Sequence, residues 1–185
     1  MSSKKSLRQE MRALLSAQSP EERDRKSRLI QKKLFNTPAF QRAGTVCFYV
    51  SLPMEVNTYP MIVEALHLGK KVLAVQVDWV KKELKLKEIR HLKKDLAPGI
   101  LGIPEPVAGI PEVALEEARC FIVPALAFDA GGHRLGRGGG FYDRLLARIK
   151  PEVPTIGLAF SFQQLPQIPL EDHDRIVQIV LTDKN

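Results

Sequence analysis

Aromatic residues are scarce in this chain, at 6% of its 185 residues with a single tryptophan, and cysteine occurs only twice. An RNA-reading surface interleaves exposed aromatics with basic charge, so a nucleic-acid partner is not expected. Cys47 and Cys120 both lie in apolar, strand-like runs, which predicts buried reduced thiols rather than a disulfide or a metal pair. No apolar run approaches the ~20 residues of a membrane span, and the opening MSSKKSLRQEMRALL lacks a signal-peptide core. Cytoplasmic residence and no membrane partner are the corresponding expectations. Internal repeats and low-complexity tails are also missing.

What is present is an ordinary globular mixture, 44% hydrophobic and 26% charged, long enough to bury a core. The balance is basic, with a formal charge of +7 and a pI near 9.5. Basic residues gather in Lys4 to Arg12, Arg23 to Lys33 and Lys81 to Lys94. Solvated faces, or attraction to a small polyanion, fit that distribution.

Apolar spacing organises the chain. Leu7, Met11, Leu14 and Leu15 keep helical spacing, and Ser19-Pro20-Glu21-Glu22 is an N-cap with proline at the first helical position, so two helices are expected before the first strand. Thr45 to Val50 and Lys71 to Val77 read as doubly buried strands joined by a helix over Thr58 to Leu68 that ends at Gly69. That order implies a right-handed parallel crossover. Glu83 to Ile89 alternates polar and apolar, as suits an edge strand with one wet face. A loop is expected over Leu101 to Pro106, a short helix over Pro111 to Ala118, and strands over Cys120 to Phe128, Pro154 to Phe160 and Ile176 to Leu181. The expected fold is α/β: one domain over 1–185, with an open, mostly parallel Rossmann-like sheet, helices on both faces and residues 1–40 as an N-terminal helical segment.

Chemistry concentrates in GGHRLGRGGGFYDRLL, Gly131 to Leu146, which holds six glycines and three arginines. Glycines bring backbone N–H groups close to a ligand, arginines add forked donors, and a following helix start favours anions, so strand, loop and helix together predict a phosphate site. The Lys-Ser/Thr ending of a Walker loop is missing, and Arg137-Gly138-Gly139-Gly140 does not fit a dinucleotide fingerprint. Asp143 could cap the helix, pair with Arg144 or Arg148, or hold magnesium against bound phosphate. The acidic run Glu171-Asp172-His173-Asp174 reads either as a solvated turn or as the source of a second metal carboxylate. An isomerase of sugar phosphates, an acyl-CoA transferase and a non-catalytic RNA binder remain alternative readings of the basic, glycine-rich pattern.

Arg134-Leu135-Gly136-Arg137-Gly138-Gly139-Gly140-Phe141-Tyr142-Asp143 strongly resembles the signature of the 5-formyltetrahydrofolate cyclo-ligase family. The resemblance extends to Lys4 and Arg8, to Tyr49 through Thr58, to Gly102-Ile103-Pro104-Glu105-Pro106 and to His173-Asp174, in the family's order over nearly the whole chain. It implies a magnesium-requiring, ATP-dependent ligase that closes 5-formyltetrahydrofolate to the 5,10-methenyl form, releasing ADP and phosphate, with small-molecule partners only and a monomeric state. Carried over residue by residue, ATP phosphates would be met by Lys4, Arg8, Arg134 and Arg137, cradled by the backbone of Leu135, Gly136, Gly138, Gly139 and Gly140. Phe141 and Tyr142 would pack beside nucleotide and folate. Arg137 and Tyr142 are the catalytic candidates, Val50 and Glu55 the folate-binding ones, and Asp143 and Asp174 the magnesium carboxylates. Phe48 or Tyr49 could wall the folate ring or simply be core. Some relatives carry Lys at Gly139, Tyr at Phe141 and Trp at Leu101, so this chain would shift phosphate charge onto Lys4, Arg8 and Arg137.

Overall fold

The computed structural model describes residues 3–184, with every side chain among them except that of Leu101, so the expectation attached to that side chain lies outside the described residues. Helices α1 (Lys4–Ser16) and α2 (Pro20–Asn36) each begin at a serine whose hydroxyl accepts a first-turn N–H, Ser3 from Ser6 and Ser19 from Glu22. A third helix, α3 (Pro38–Arg42), intervenes before strand β1 (Thr45–Phe48), correcting the expected two. Pro38 is the reason. It disfavours helical geometry at Thr37, ending α2, and then starts a new turn that the Thr37 side chain caps.

Helix α4 (Tyr59–His67) crosses to β2 (Lys71–Asp78), which pairs parallel with β1 with Val46 opposite Val72. Strand β3 (Glu83–Ile89) returns antiparallel along β2. A short helix α5 (Leu92–Asp95) leads into β4 (Leu96–Pro98) and β5 (Pro104–Pro106), an antiparallel pair where an open loop was expected. Pro111 to Ala118 is not a helix. It supplies β6 (Glu112–Val113), which caps β3 as the true sheet edge, and then a single 3-10 turn. An eight-residue helix would carry the full cost of nucleation, whereas the β3 edge offers ready partners.

The run Cys120 to Phe128 breaks at Pro124, which has no N–H for a ladder. Its first part is β7 (Cys120–Val123), in the sheet; its second, β8 (Ala127–Phe128), leaves and pairs antiparallel with β9 (Arg134–Leu135). Helix α6 (Phe141–Leu146), β10 (Thr155–Ala159) and β11 (Ile179–Thr182) complete the chain. The seven-stranded sheet runs β11-β10-β7-β1-β2-β3-β6, parallel from β11 through β2 and antiparallel at β3 and β6. It is the expected mostly parallel α/β sheet. Met11, Leu15, Ile30, Leu34, Phe40 and Met61 bring α1 to α4 onto one face, and Leu145 and Leu146 bring α6 onto the other. Cys47 and Cys120 are buried free thiols that point into opposite core layers, and burial pushes both thiol pKa values up, that of Cys120 to about 12. They are inert packing groups, as expected.

Candidate active site

Beyond the carboxyl ends of β1, β7 and β2 the chain leaves a cavity of about 800 Å³. Lys4, Arg8, Val50, Glu55, Arg134 to Asp143 and Asp174, the catalytic, ATP-binding, folate-binding and metal candidates, all line it. The position is the one an open parallel sheet reserves for ligands.

One wall is cationic. Lys4 and Arg8, one turn apart on α1, reach it from the chain's beginning: Lys4 Nζ sits 2.6 Å from Asp174 Oδ2 and 3.3 Å from Glu171 Oε1, and Arg8 Nε donates to the Gly136 carbonyl at 2.9 Å. Burial would raise the Asp174 carboxyl, but Lys4 and the Glu171 N–H outweigh it and hold the pKa below the usual aspartate range. Arg134, on β9, is almost fully buried. Its Nη2 lies 2.7 Å from Asp143 Oδ1, yet among the described residues neither Nη2 nor Nε has an acceptor along its N–H direction. Buried guanidinium donors left unpaired are costly, and an anion in the cavity is the group that would satisfy them.

The glycine loop differs from the simple strand-to-helix turn expected. It follows the β8–β9 hairpin, and α6 has only six residues, with Gly140 at its N-cap in the left-handed region at φ 65°. So short a helix adds little dipole, and the positive character of the site comes from side chains. Gly138, at φ 109°, also needs its freedom. Gly139 is restricted differently: a Cβ there would stand 2.7 Å from the Phe141 ring. Phe141 in turn packs edge-on to Trp79, with ring centroids 5.5 Å apart, and the Arg144 guanidinium lies 5.1 Å from its ring. A lysine at 139, as in some relatives, would require that ring to move.

Asp143 neither caps α6 nor pairs with Arg144 or Arg148. It faces Arg134 and accepts the Arg175 N–H at 3.2 Å, which ties it to the segment carrying Asp174. Tyr142 is half-buried against Arg134, and burial raises its phenol pKa well above 10, so the hydroxyl stays neutral. Across the cavity Glu55 sits in a loop closed by mutual hydrogen bonds between Ser51 and Thr58; its Oε2 accepts the Leu52 N–H and its Oε1 meets Arg137 Nη2 at 2.7 Å. The folate and phosphate candidates thus touch each other. Val50 and Tyr49 line the same wall, while Phe48 is wholly core.

Another part of the lining is apolar, built from Val75, Val77, Leu84, Ile103 and Pro104. Sequence reasoning missed Trp79, Arg144 and Arg175 as cavity residues and gave Glu105 no role. Arg144 anchors the loop, donating from Nε to the Lys82 carbonyl at 2.6 Å and from Nη2 to that of Gly139 at 2.9 Å. A lone tryptophan at the end of a strand was the one available signal for that side.

Known proteins share this fold. The NMR structure of Aquifex aeolicus 5,10-methenyltetrahydrofolate synthetase superposes with a TM-score of 0.86 and 34% identity, over 98% of this chain and 90% of that one. A Mycoplasma pneumoniae 5,10-methenyltetrahydrofolate synthetase shares the fold, with a TM-score of 0.79 at 23% identity over 98% of this chain and 99% of its own. The mouse 5-formyltetrahydrofolate cyclo-ligase is 32% identical over 97% of this chain and 93% of its own length. Residues 1–183 match the model of one family as a whole, and the chain belongs to it: the 5-formyltetrahydrofolate cyclo-ligase family.

Proposed function

We propose that this chain, as one cyclo-ligase-like domain over 1–185 with its first 40 residues as a helical segment, converts 5-formyltetrahydrofolate to 5,10-methenyltetrahydrofolate at the expense of ATP. The observation that carries the reading is the division of one cavity into a cationic wall and an apolar wall. Lys4 and Arg8 of α1 and Arg134 and Arg137 of the glycine-loop segment converge on the first, with Val75, Val77 and Leu84 on the second. A triphosphate suits one side and a folate ring the other.

A formamide is a poor electrophile, and its oxygen must leave if the ring is to close. In the proposed reaction the formyl oxygen attacks the γ-phosphorus, the bond to ADP breaks, and ADP departs with the electron pair. The second folate nitrogen then adds to the activated carbon and loses its proton. The carbon–oxygen bond breaks and phosphate leaves. Such a transfer needs alignment and charge neutralisation rather than a protein nucleophile. Arg134 and Arg137 stabilise charge on the moving phosphoryl group, Lys4 and Arg8 hold the remaining phosphates, and the backbone of Leu135 to Gly140 encloses them. Tyr142, with its phenol neutral, offers an O–H to a phosphate or formyl oxygen, while Phe141 packs against the bound ligands. Val50 and Glu55 border the folate ring.

Among the described residues no cluster of three or more His, Cys, Asp or Glu could cage a metal. Asp143 and Asp174 nevertheless fit magnesium, which takes one or two carboxylates and completes its shell with water and phosphate oxygens. Bound there, it would neutralise phosphate charge. The reading takes the chain as a monomer acting in the cytoplasm on small molecules; no described helix is long and apolar enough to cross a membrane.

The test is spectrophotometric. Methenyltetrahydrofolate absorbs in the near ultraviolet where the 5-formyl compound does not, so absorbance should rise only with ATP, magnesium and 5-formyltetrahydrofolate all present. Equal rates without ATP would remove the ligase assignment. Calorimetric binding of sugar phosphates in preference to ATP would point instead to an isomerase-type site.

A further inference from the structure

Among the described residues five carboxylates line the cavity, and four of them are already matched to cations: Glu55 to Arg137, Asp143 to Arg134, and both Asp174 and Glu171 to Lys4. Glu105 is different. It forms no ion pair with any described residue, it is only 9% exposed, and its Oε1 is buried without a hydrogen-bond partner. Its place in the fold explains how it came to be there. Strand β1 stops at Phe48, so the outer part of β2 loses its parallel neighbour and exposes backbone donors. The β4–β5 hairpin covers that edge: Gln76 Nε2 donates to the Pro106 carbonyl, and the Val77 N–H to Glu105 Oε2 at 3.3 Å. The carboxyl head rests against Gly99, where a Cβ would come within 2.8 Å of it.

Holding up one backbone N–H does not require a carboxylate, since an amide oxygen would serve without the desolvation of a charge. A buried carboxyl with a spare oxygen among aliphatic side chains instead suits a ligand that is flat, largely apolar and edged with N–H donors. A reduced pterin is such a ligand.

We propose that Glu105 is a substrate-binding residue of the apolar wall, its free oxygen accepting an N–H of the pterin edge and so setting the orientation of the ring against the phosphate side. The assignment rests on the cyclo-ligase reading. It gives the ring a second glutamate beside Glu55, whose Oε2 accepts the Leu52 N–H and whose Oε1 meets Arg137. Burial raises the Glu105 pKa above the ordinary glutamate value, against a smaller lowering by the Val77 N–H, so its charge is lost at a higher pH than that of an exposed glutamate.

Glu105→Gln is the discriminating variant, because it keeps the length and an acceptor for Val77 while replacing the carboxylate. Dissociation constants for 5-formyltetrahydrofolate and for ATP-magnesium are measured by calorimetry across the acid range, alongside thermal melts and the absorbance assay on the unmodified protein. The expected result is a rise of about tenfold in the 5-formyltetrahydrofolate constant, no more than about a twofold change for ATP, and an unchanged melting temperature. Folate binding by the unmodified protein should also weaken as pH falls through the raised pKa, and that dependence should flatten in the variant. Unchanged folate affinity and pH dependence would make Glu105 only an acceptor for Val77 and overturn the proposal. An equal loss for both ligands with a lowered melting temperature would overturn it as well, by showing a general structural role. If the unmodified protein binds folate but forms no methenyl product, the ligase reading fails while the Glu105 assignment is still judged by binding.

Discussion

Arg137 is the residue whose role most depends on what fills the cavity. Its side chain is 40% exposed and its partner is Glu55, so on geometry alone it could pass for a surface ion pair of little energetic weight. In that case Arg137→Ala would change stability by less than ~0.5 kcal/mol and leave turnover intact. If the guanidinium exchanges Glu55 for the transferring phosphoryl group, kcat should instead fall on the order of a hundredfold or more, with a smaller change in the folate KM. Steady-state kinetics on the variant decide between the two. Asp143 has a structural duty that the sequence did not reveal, because it faces a guanidinium that is only 3% exposed. Asp143→Asn should therefore lower stability by about 3 kcal/mol as well as activity, since a buried charge loses its counter-ion. Activity that partly recovers as magnesium is raised would mark the metal role. Loss of stability with turnover and magnesium dependence unchanged would assign Asp143 to Arg134 alone.

Helix α1 is both a wall of the site and a piece of the core, and the two functions lie at opposite ends of it. Lys4 and Arg8 face the cavity, whereas Met11 and Leu15 are buried beneath. Leu15→Ala should cost about 2–5 kcal/mol, read by denaturant unfolding, and leave ATP affinity near normal in the folded protein. The Lys4→Ala, Arg8→Ala pair should reverse the pattern, with about 1 kcal/mol or less of stability lost and ATP bound about tenfold more weakly. Similar effects from both would mean that α1 acts only as scaffold. The resemblance named Lys4 and Arg8, whose i, i+4 spacing puts both on one face, and apolar spacing carries Met11 and Leu15 into the core. The parallel strands were legible for the same kind of reason, as continuous apolar runs buried on both faces. The β4–β5 hairpin and β6 were not. Strands of two or three residues have no period of their own, and Pro104 and Pro106 look like loop residues until an edge is there to pair with. The break at Pro124 was readable in principle, but the apolar run on both sides of it concealed the missing donor.

At the scale of the whole molecule, the candidate site was legible from the residues themselves where they are contiguous, from Arg134 to Asp143; Lys4, Arg8, Val50, Glu55 and Asp174, from distant segments, were named through the family resemblance, and Trp79, Glu105 and Arg175 were given no role. No local pattern brings those together. The formal charge of +7 was equally ambiguous, since a cationic cavity and a nucleic-acid surface give the same total. Linkage separates them. A ligand that binds only the folded state, present at 100 times its Kd, adds about 2.7 kcal/mol, and in a chain of this size each kcal/mol moves Tm by roughly 2–4 °C. Saturating 5-formyltetrahydrofolate should therefore raise Tm by about 5–11 °C in a thermal melt. Salt then distinguishes the source of the stabilisation. A folate ring held by apolar contacts and a partly buried carboxylate is weakly screened, so most of its shift should survive at ~0.5 M salt. An RNA oligonucleotide held by the basic faces of α1 and α2 would release counterions, and any shift it produced should vanish over the same range. A melt that ignores folate and follows RNA in a salt-dependent way would return the basic helices to nucleic acid, whereas a salt-resistant folate shift places the functional charge inside the cavity, where Lys4, Arg8, Arg134 and Arg137 already converge.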